Sequence, residues 1–118
     1  MQNYDKAYEL AKEIKESEVY QSYLKAKEEA FSNELNKNLY DKYTELTRQV
    51  MGAQMAGQPV TDEMQQQYQQ LMGVLSLNTE LTNFMLAEHR LNQLMSDIFK
   101  ILGDAVQIDL GFLENQEG

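Results

Sequence analysis

The stretch QMAGQPVTDEM, residues 54–64, decides how this chain folds. Gly57 lacks a Cβ, so it can adopt the left-handed conformation that closes a helix. Pro59 cannot continue that helix, and Thr61 is a good N-cap for a new one. Stop, turn and start signals lie within a few residues, and short connections favour antiparallel helices. We therefore predict a structural corner at Gly57, Pro59 and Thr61.

The arm before the corner carries apolar residues at helical spacing. Steps of three or four keep them on one helical face, and this predicted stripe consists of Phe31, Leu35, Leu39, Tyr43, Leu46 and Val50. The one internal helix breaker is Gly52, and an isolated glycine costs a helix only about 1 kcal/mol relative to alanine. We predict one continuous helix from Glu18 to Ala56, preceded by a short amphipathic N-terminal helix.

The arm after the corner has two registers. Met64, Tyr68, Leu71 and Leu75 form the first, and the second contributes a further predicted stripe of Phe84, Leu91, Met95, Ile98 and Leu102. The phase changes at Ser76–Asn78, which predicts a kink or break there, with Asn78 able to cap the next helix. We expect a single helical domain over residues 1–118, with residues 109–118 as a mobile tail.

Composition excludes several classes of function. The chain has 10 Lys and Arg against 19 Asp and Glu, a net charge of -9, and this balance repels a phosphate backbone. It has no cysteine, which excludes disulfides, thiolate nucleophiles and cysteine-ligated metal sites. No signal peptide and no apolar run of the roughly 20 residues that span a bilayer is visible. We expect a soluble cytoplasmic protein with no nucleic-acid or membrane partner.

The negative charge is concentrated in the second half of the chain. Residues 57–118 contain two basic residues, Arg90 and Lys100, against nine acidic ones. Such a surface most simply keeps a protein soluble, and the alternative is that it faces a basic partner.

The chain offers little chemistry for catalysis. His89 is its one histidine, so no pair of imidazoles exists, and Leu86 occupies the position that a Glu-x-x-His metal pair would require as Glu. No glycine-rich phosphate loop is present. We predict no catalytic, cofactor-binding or metal-binding residue. The alternative is an enzyme or metal-dependent protein whose carboxylate site forms between subunits from Glu80, Glu88 and Asp97.

The predicted hairpin is too thin to cover its own apolar surface. Two extended helices bury only the seam where they touch, and ordering the chain costs about 1–2 kcal/mol of backbone entropy per residue. The apolar face also widens at Leu94–Met95 and Ile98–Phe99 beyond a narrow coiled-coil seam. We predict self-association into a helical bundle, as a homodimer or larger oligomer. The alternative is a monomeric bundle in which the terminal segments fold over the hairpin.

Three stretches resemble the YlbF/YmcA family of small helical bacterial proteins, with closest similarity to its YheA-like branch. They are YDKAYELAKEIKESEVY near the N-terminus, QMAGQPVT at the corner and MLAEHRLNQLMSDIFKIL in the second arm. The resemblance extends over about residues 3–105. It implies an all-α fold based on an antiparallel hairpin, and it implies self-association.

The resemblance also implies a regulatory role. Some relatives are subunits of a bacterial complex that modulates mRNA processing by a membrane-anchored endoribonuclease, and those relatives hold iron–sulfur clusters through cysteines. This chain has no cysteine, so that cofactor does not carry over. We expect a non-enzymatic, homo-oligomeric helical adaptor that binds an unidentified protein and is linked to bacterial RNA-processing regulation.

Overall fold

The computed structural model describes residues 2–107. Over these residues the chain forms five helices and no strand, so the predicted all-α fold is confirmed. The helices are α1 (Gln2–Glu16), α2 (Glu18–Phe31), α3 (Glu34–Met55), α4 (Asp62–Ser76) and α5 (Thr79–Val106). The tail predicted at 109–118 lies outside the described residues.

The corner between α3 and α4 follows from its local sequence. Gly57 has a φ of +72°, in the left-handed region, and the Gln58 amide donates to the Ala53 carbonyl at 2.8 Å. The Thr61 hydroxyl accepts a hydrogen bond of 3.1 Å from the Met64 amide, as an N-cap does. Pro59 lies in the connection between the two helices. The helical hairpin predicted from the sequence is formed by α3 and α4.

Gly57→Ala is expected to lower the free energy of unfolding by about 1 kcal/mol, because a Cβ is strained at positive φ. No heavy atom lies within 4 Å of the Cβ position, so the cost is conformational rather than a clash. Urea denaturation measures the change. The control is Gly52→Ala in α3, where the added Cβ also meets nothing within 4 Å. It is expected to stabilise the protein by up to about 1 kcal/mol, and equal destabilisation by both variants would contradict this account.

The arm before the corner is not one continuous helix, and that prediction was wrong. The break falls at Ser32–Asn33, where Asn33 has extended backbone angles (φ -105°, ψ 119°) and caps α3 by accepting from the Leu35 amide at 2.8 Å. The Ser32 hydroxyl donates to the Glu29 carbonyl at 3.0 Å near the end of α2. Serine and asparagine side chains compete in this way with the helical backbone, and they end α2 at Phe31.

The break predicted in the second arm is confirmed. Helix α4 ends at Ser76, and the Asn78 side chain accepts a hydrogen bond of 3.0 Å from the Leu81 amide at the start of α5. Asparagine is among the best N-cap residues, so the Asn78 side chain begins α5 and with it the second apolar register.

The chain divides into two compact units. One unit comprises Lys27–Phe84 and contains α3, α4, the last residues of α2 and the first of α5. It holds the main buried core, whose apolar members are Ala30, Leu46, Leu75, Leu81 and Phe84. Since Asn36 near the start of α3 bonds to Asn78 just beyond α4, the two helices run antiparallel.

The other unit comprises Met1–Ala26 and Met85–Gly118, of which residues 2–26 and 85–107 are described. Ser17 separates α1 from α2, donating to the Ile14 carbonyl at 2.6 Å and accepting from the Tyr20 amide at 3.2 Å. Among the described residues of this unit, Ala87 is the one buried apolar side chain. The remaining apolar side chains of this unit are half-buried or exposed.

Candidate functional site

A groove of about 670 Å³ lies between α3 and α4 in the Lys27–Phe84 unit. Four apolar side chains contribute to it: Leu39 and Leu46 from α3, and Leu71 and Val74 from α4. Leu46 is buried, whereas Val74 is 50% exposed. The seam between two antiparallel helices therefore leaves an apolar strip open on one side.

Polar side chains line the rest of this groove, which we call the α3–α4 groove. Helix α4 contributes Gln67 and Gln70, and α3 contributes Asp41, Lys42, Glu45 and Gln49. The Glu45 carboxylate lies 3.1 Å from the Arg48 guanidinium in an exposed ion pair. The groove is thus neutral along α4 and carries both signs of charge along α3.

A buried polar cluster fixes the other end of the hairpin. Asn36 is 2% exposed, and its Nδ2 donates to the Ala30 carbonyl at 3.0 Å and to Glu80 Oε1 at 3.2 Å. Its Oδ1 accepts from Asn78 Nδ2 at 2.6 Å. One side chain therefore joins the end of α2 to the cap and first turn of α5. Because a buried polar group is costly unless hydrogen-bonded, this cluster specifies how the two helix breaks meet.

Three aromatic rings pack beside this cluster. The Phe84 ring centroid lies 4.8 Å from that of Phe31 and 5.3 Å from that of Tyr40, with interplanar angles of 59° and 79°. These tilted and edge-on arrangements are the favoured geometries for aromatic pairs. The structure therefore brings together Phe31 and Phe84 from the two predicted stripes.

The remaining residues of the predicted stripes lie in different environments. Leu39 and Leu46 line the groove, and Tyr43 and Val50 of α3 are half-buried. Three residues of α5 are also half-buried: Leu91, Met95 and Ile98. By contrast, Leu35 is 64% exposed and Leu102 is 53% exposed.

Leu35 departs from its predicted stripe for a local reason. The break at Ser32–Asn33 resets the helical phase, so Asn36 rather than Leu35 faces the interior of the hairpin. Periodicity counted through residues 32 and 33 as helix could not find this, because each residue turns the helix by about 100°. The available signal was the pair Ser32–Asn33 followed by the acidic Glu34, which is typical of a helix start.

Helix α1 carries several exposed apolar side chains. No residue of α1 is buried, and Tyr8 is 76% exposed. Its exposed apolar side chains also include Tyr4 and Leu10. The last turns of α5 likewise expose Ile101, Leu102 and Val106.

The ionisable residues considered for catalysis have structural or solvent contacts. His89 is exposed, Glu80 bonds to Asn36, and Asp97 accepts from Gln93 at 2.9 Å. Across residues 2–107, no three acidic or histidine side chains converge in a way that could hold a metal ion. Over the same range, none of the helices combines the length and apolarity that spanning a bilayer requires.

Comparison with known proteins gives consistent matches along nearly the whole chain. The family described as "Control of competence regulator ComK, YlbF/YmcA" matches residues 3–107. A UPF0342 protein of Halothermothrix orenii is 32% identical over 97% of this chain and 95% of its own length. A UPF0342 protein of Alkalihalophilus pseudofirmus is 32% identical over 97% of both chains.

The fold also matches a solved structure. A protein from Bacillus stearothermophilus, titled "Protein of Unknown Function (DUF964)", superposes with a TM-score of 0.74. The match covers 91% of this chain and 94% of that one at 19% identity. At this identity the likeness establishes a shared all-α fold.

Proposed function

Because this chain belongs to the YlbF/YmcA family, we propose that it is a non-enzymatic regulatory protein of the bacterial cytoplasm that works by binding proteins, including copies of itself. The family resemblance inferred from the three sequence stretches is confirmed. The family's description links it to control of a competence regulator, and regulation through protein contacts is the role we assign to this chain.

The observation that carries the proposal is the amount of apolar surface left open. Among residues 2–107, fourteen large apolar side chains are exposed, against six buried apolar residues. Scattered exposed apolar side chains are normal on any protein, but contiguous ones mark interaction surfaces. Here they recur along single helices, as in α1 with Tyr4 and Tyr8 and in the last turns of α5.

Self-association would bury part of this exposed apolar surface without requiring any other protein. Helix α1 buries none of its residues, so its helical form gains little from packing within one copy. Helical stability in proteins comes mostly from packing an amphipathic face rather than from intrinsic propensity. A second copy would cover part of the exposed apolar surface, and the remaining exposed faces, such as that of α1, would bind a different protein.

Light scattering coupled to size exclusion tests the self-association. The expected mass is at least twice the 13.7 kDa of one chain across roughly 1–100 μM. The thermal midpoint should also rise with protein concentration, since association stabilises the folded state. A mass of one chain throughout that range would contradict the oligomeric part of the proposal.

Affinity capture tests the adaptor role separately. The full-length chain, tagged and expressed at its native level in its host, should retain a specific protein at reproducible stoichiometry. A bait of similar acidity and size controls for capture by charge alone. Recovery of the same proteins with both baits, or of none with either, would argue against an adaptor.

The proposed link to RNA processing rests on the resemblance to relatives in an mRNA-processing complex. It predicts that removing the protein from its host shifts the 5′ ends of a set of transcripts, which sequencing of RNA ends measures. Complementation with the intact gene should restore those ends. Unchanged transcript ends would place the regulation elsewhere.

A further inference from the structure

The α3–α4 groove leaves apolar side chains of the hairpin partly exposed to solvent. Its apolar side chains come from both helices, and the space between them amounts to about 670 Å³. Val74 at its edge is half exposed. An apolar strip of this kind gains free energy when another apolar surface displaces its water.

The charges along the α3 side of the groove bear on which kind of protein surface would bind there. Within residues 2–107, neither the Asp41 carboxylate nor the Lys42 ammonium takes part in an ion pair. Glu45 pairs with Arg48, but both side chains are more than half exposed, so that pair contributes little and can rearrange. One turn of α3 thus presents a carboxylate, an ammonium and a second carboxylate to the groove.

This arrangement is complementary to itself. In a contact between two copies related by a two-fold axis, residue i meets residue j of the partner and j meets i. If the two-fold axis passes midway between residues 42 and 45, two antiparallel copies of α3 place Lys42 opposite the partner's Glu45, and Glu45 opposite the partner's Lys42. A rim of one sign would instead repel its own copy.

The α4 side is compatible with the same contact. It contributes Gln67 and Gln70, which carry no charge and can both donate and accept hydrogen bonds. Gln49 from α3 adds a third neutral amide to the rim. Neither side of the groove thus favours a strongly basic or strongly acidic segment over a second copy.

We propose that the α3–α4 groove is the face through which two copies of this chain associate, with Lys42 of each copy paired to the partner's Glu45. This inference rests on the proposed self-association and adds the surface and the charge pairing that define it. The four helices of two hairpins would then enclose the apolar strip, and the charge pairs would fix the antiparallel arrangement.

Lys42→Glu tests the charge pairing. It makes all three charged groove residues acidic in both copies. The dissociation constant of the dimer is expected to rise about tenfold or more at low salt. The loss should be smaller at high salt, because ions screen exposed charges. Analytical ultracentrifugation measures the constant. The matched control is Lys37→Glu, which makes the same charge change on exposed α3 surface outside the groove and should leave the constant nearly unchanged.

A charge exchange provides the converse test. The double variant Asp41→Lys, Glu45→Lys makes the rim wholly basic, so it should also dimerise poorly alone. Mixed one to one with the Lys42→Glu variant, it should form a heterodimer, which native mass spectrometry detects. Circular dichroism of each variant establishes that its helices are intact.

The outcomes separate this inference from the proposed function. A wild-type protein that is monomeric would overturn both. A wild-type dimer with unchanged association of Lys42→Glu would overturn the groove interface alone and direct attention to α1, where Tyr8→Ser should then weaken association. Equal weakening by Lys42→Glu and Lys37→Glu would show an effect of net charge, and failure of the two rim variants to pair would likewise refute the proposed contact.

Discussion

Phe84→Ala is expected to lower the free energy of unfolding by about 3–5 kcal/mol. Phe84 is 2% exposed, and its ring lies 4.8 Å from Phe31 and 5.3 Å from Tyr40 between ring centroids. The substitution removes the buried ring and leaves a cavity that a small core cannot easily refill. Urea denaturation at one fixed protein concentration measures the change, because association would otherwise alter the apparent stability.

The matched control is Leu86→Ala on the same helix. Leu86 is 53% exposed, so its truncation is expected to cost less than about 1 kcal/mol. Similar losses for the two variants would mean that the aromatic cluster is not the stabilising element. A Leu86→Ala loss that depends on protein concentration would instead place Leu86 in an interface.

Asn36→Ala is expected to lower the free energy of unfolding by about 3 kcal/mol, because it removes hydrogen bonds that cannot be replaced by water in a buried site. The Ala30 carbonyl and the Asn78 amide each lose a partner. Asn78 also caps α5, so its reorientation should loosen the first turn of that helix. Urea denaturation gives the free energy, and amide hydrogen exchange at Leu81 reports on the cap.

Three further variants define what Asn36 contributes. Asn38→Ala makes the same change at an exposed position of α3 and should alter stability by less than about 0.5 kcal/mol. Asn36→Asp keeps the size of the side chain but loses the donors to Ala30 and Glu80, and it places two carboxylates together. It should therefore destabilise as well. Wild-type stability of Asn36→Leu would show that the cluster contributes no net free energy and serves only to specify the arrangement.

The buried asparagine gives the hairpin a defined register. An apolar seam alone tolerates sliding of one helix along another, whereas a polar side chain with fixed partners does not. Asn36 meets its partners only when the end of α2 and the cap of α5 are both in place. This register also fixes α3 relative to α4, and the two helices together form the groove that carries Lys42.

The sequence by itself determined the helical class, the corner and the break before α5. Each depends on signals within a few residues: Gly57 and Thr61 at the corner, and Asn78 as a cap. Local backbone preferences and capping act at short range, so a single sequence is enough to reveal them.

The pair Ser32–Asn33 is a local signal for the break in the first arm, but only the tertiary structure decided that Asn36, not Leu35, is buried. Hydrophobic periodicity favours leucine over asparagine at an interior position. The choice depends on partners distant in sequence, since the Asn36 amide finds Asn78 and Glu80 only after the hairpin has closed. A buried polar side chain is stable only with such partners, and no local pattern specifies them.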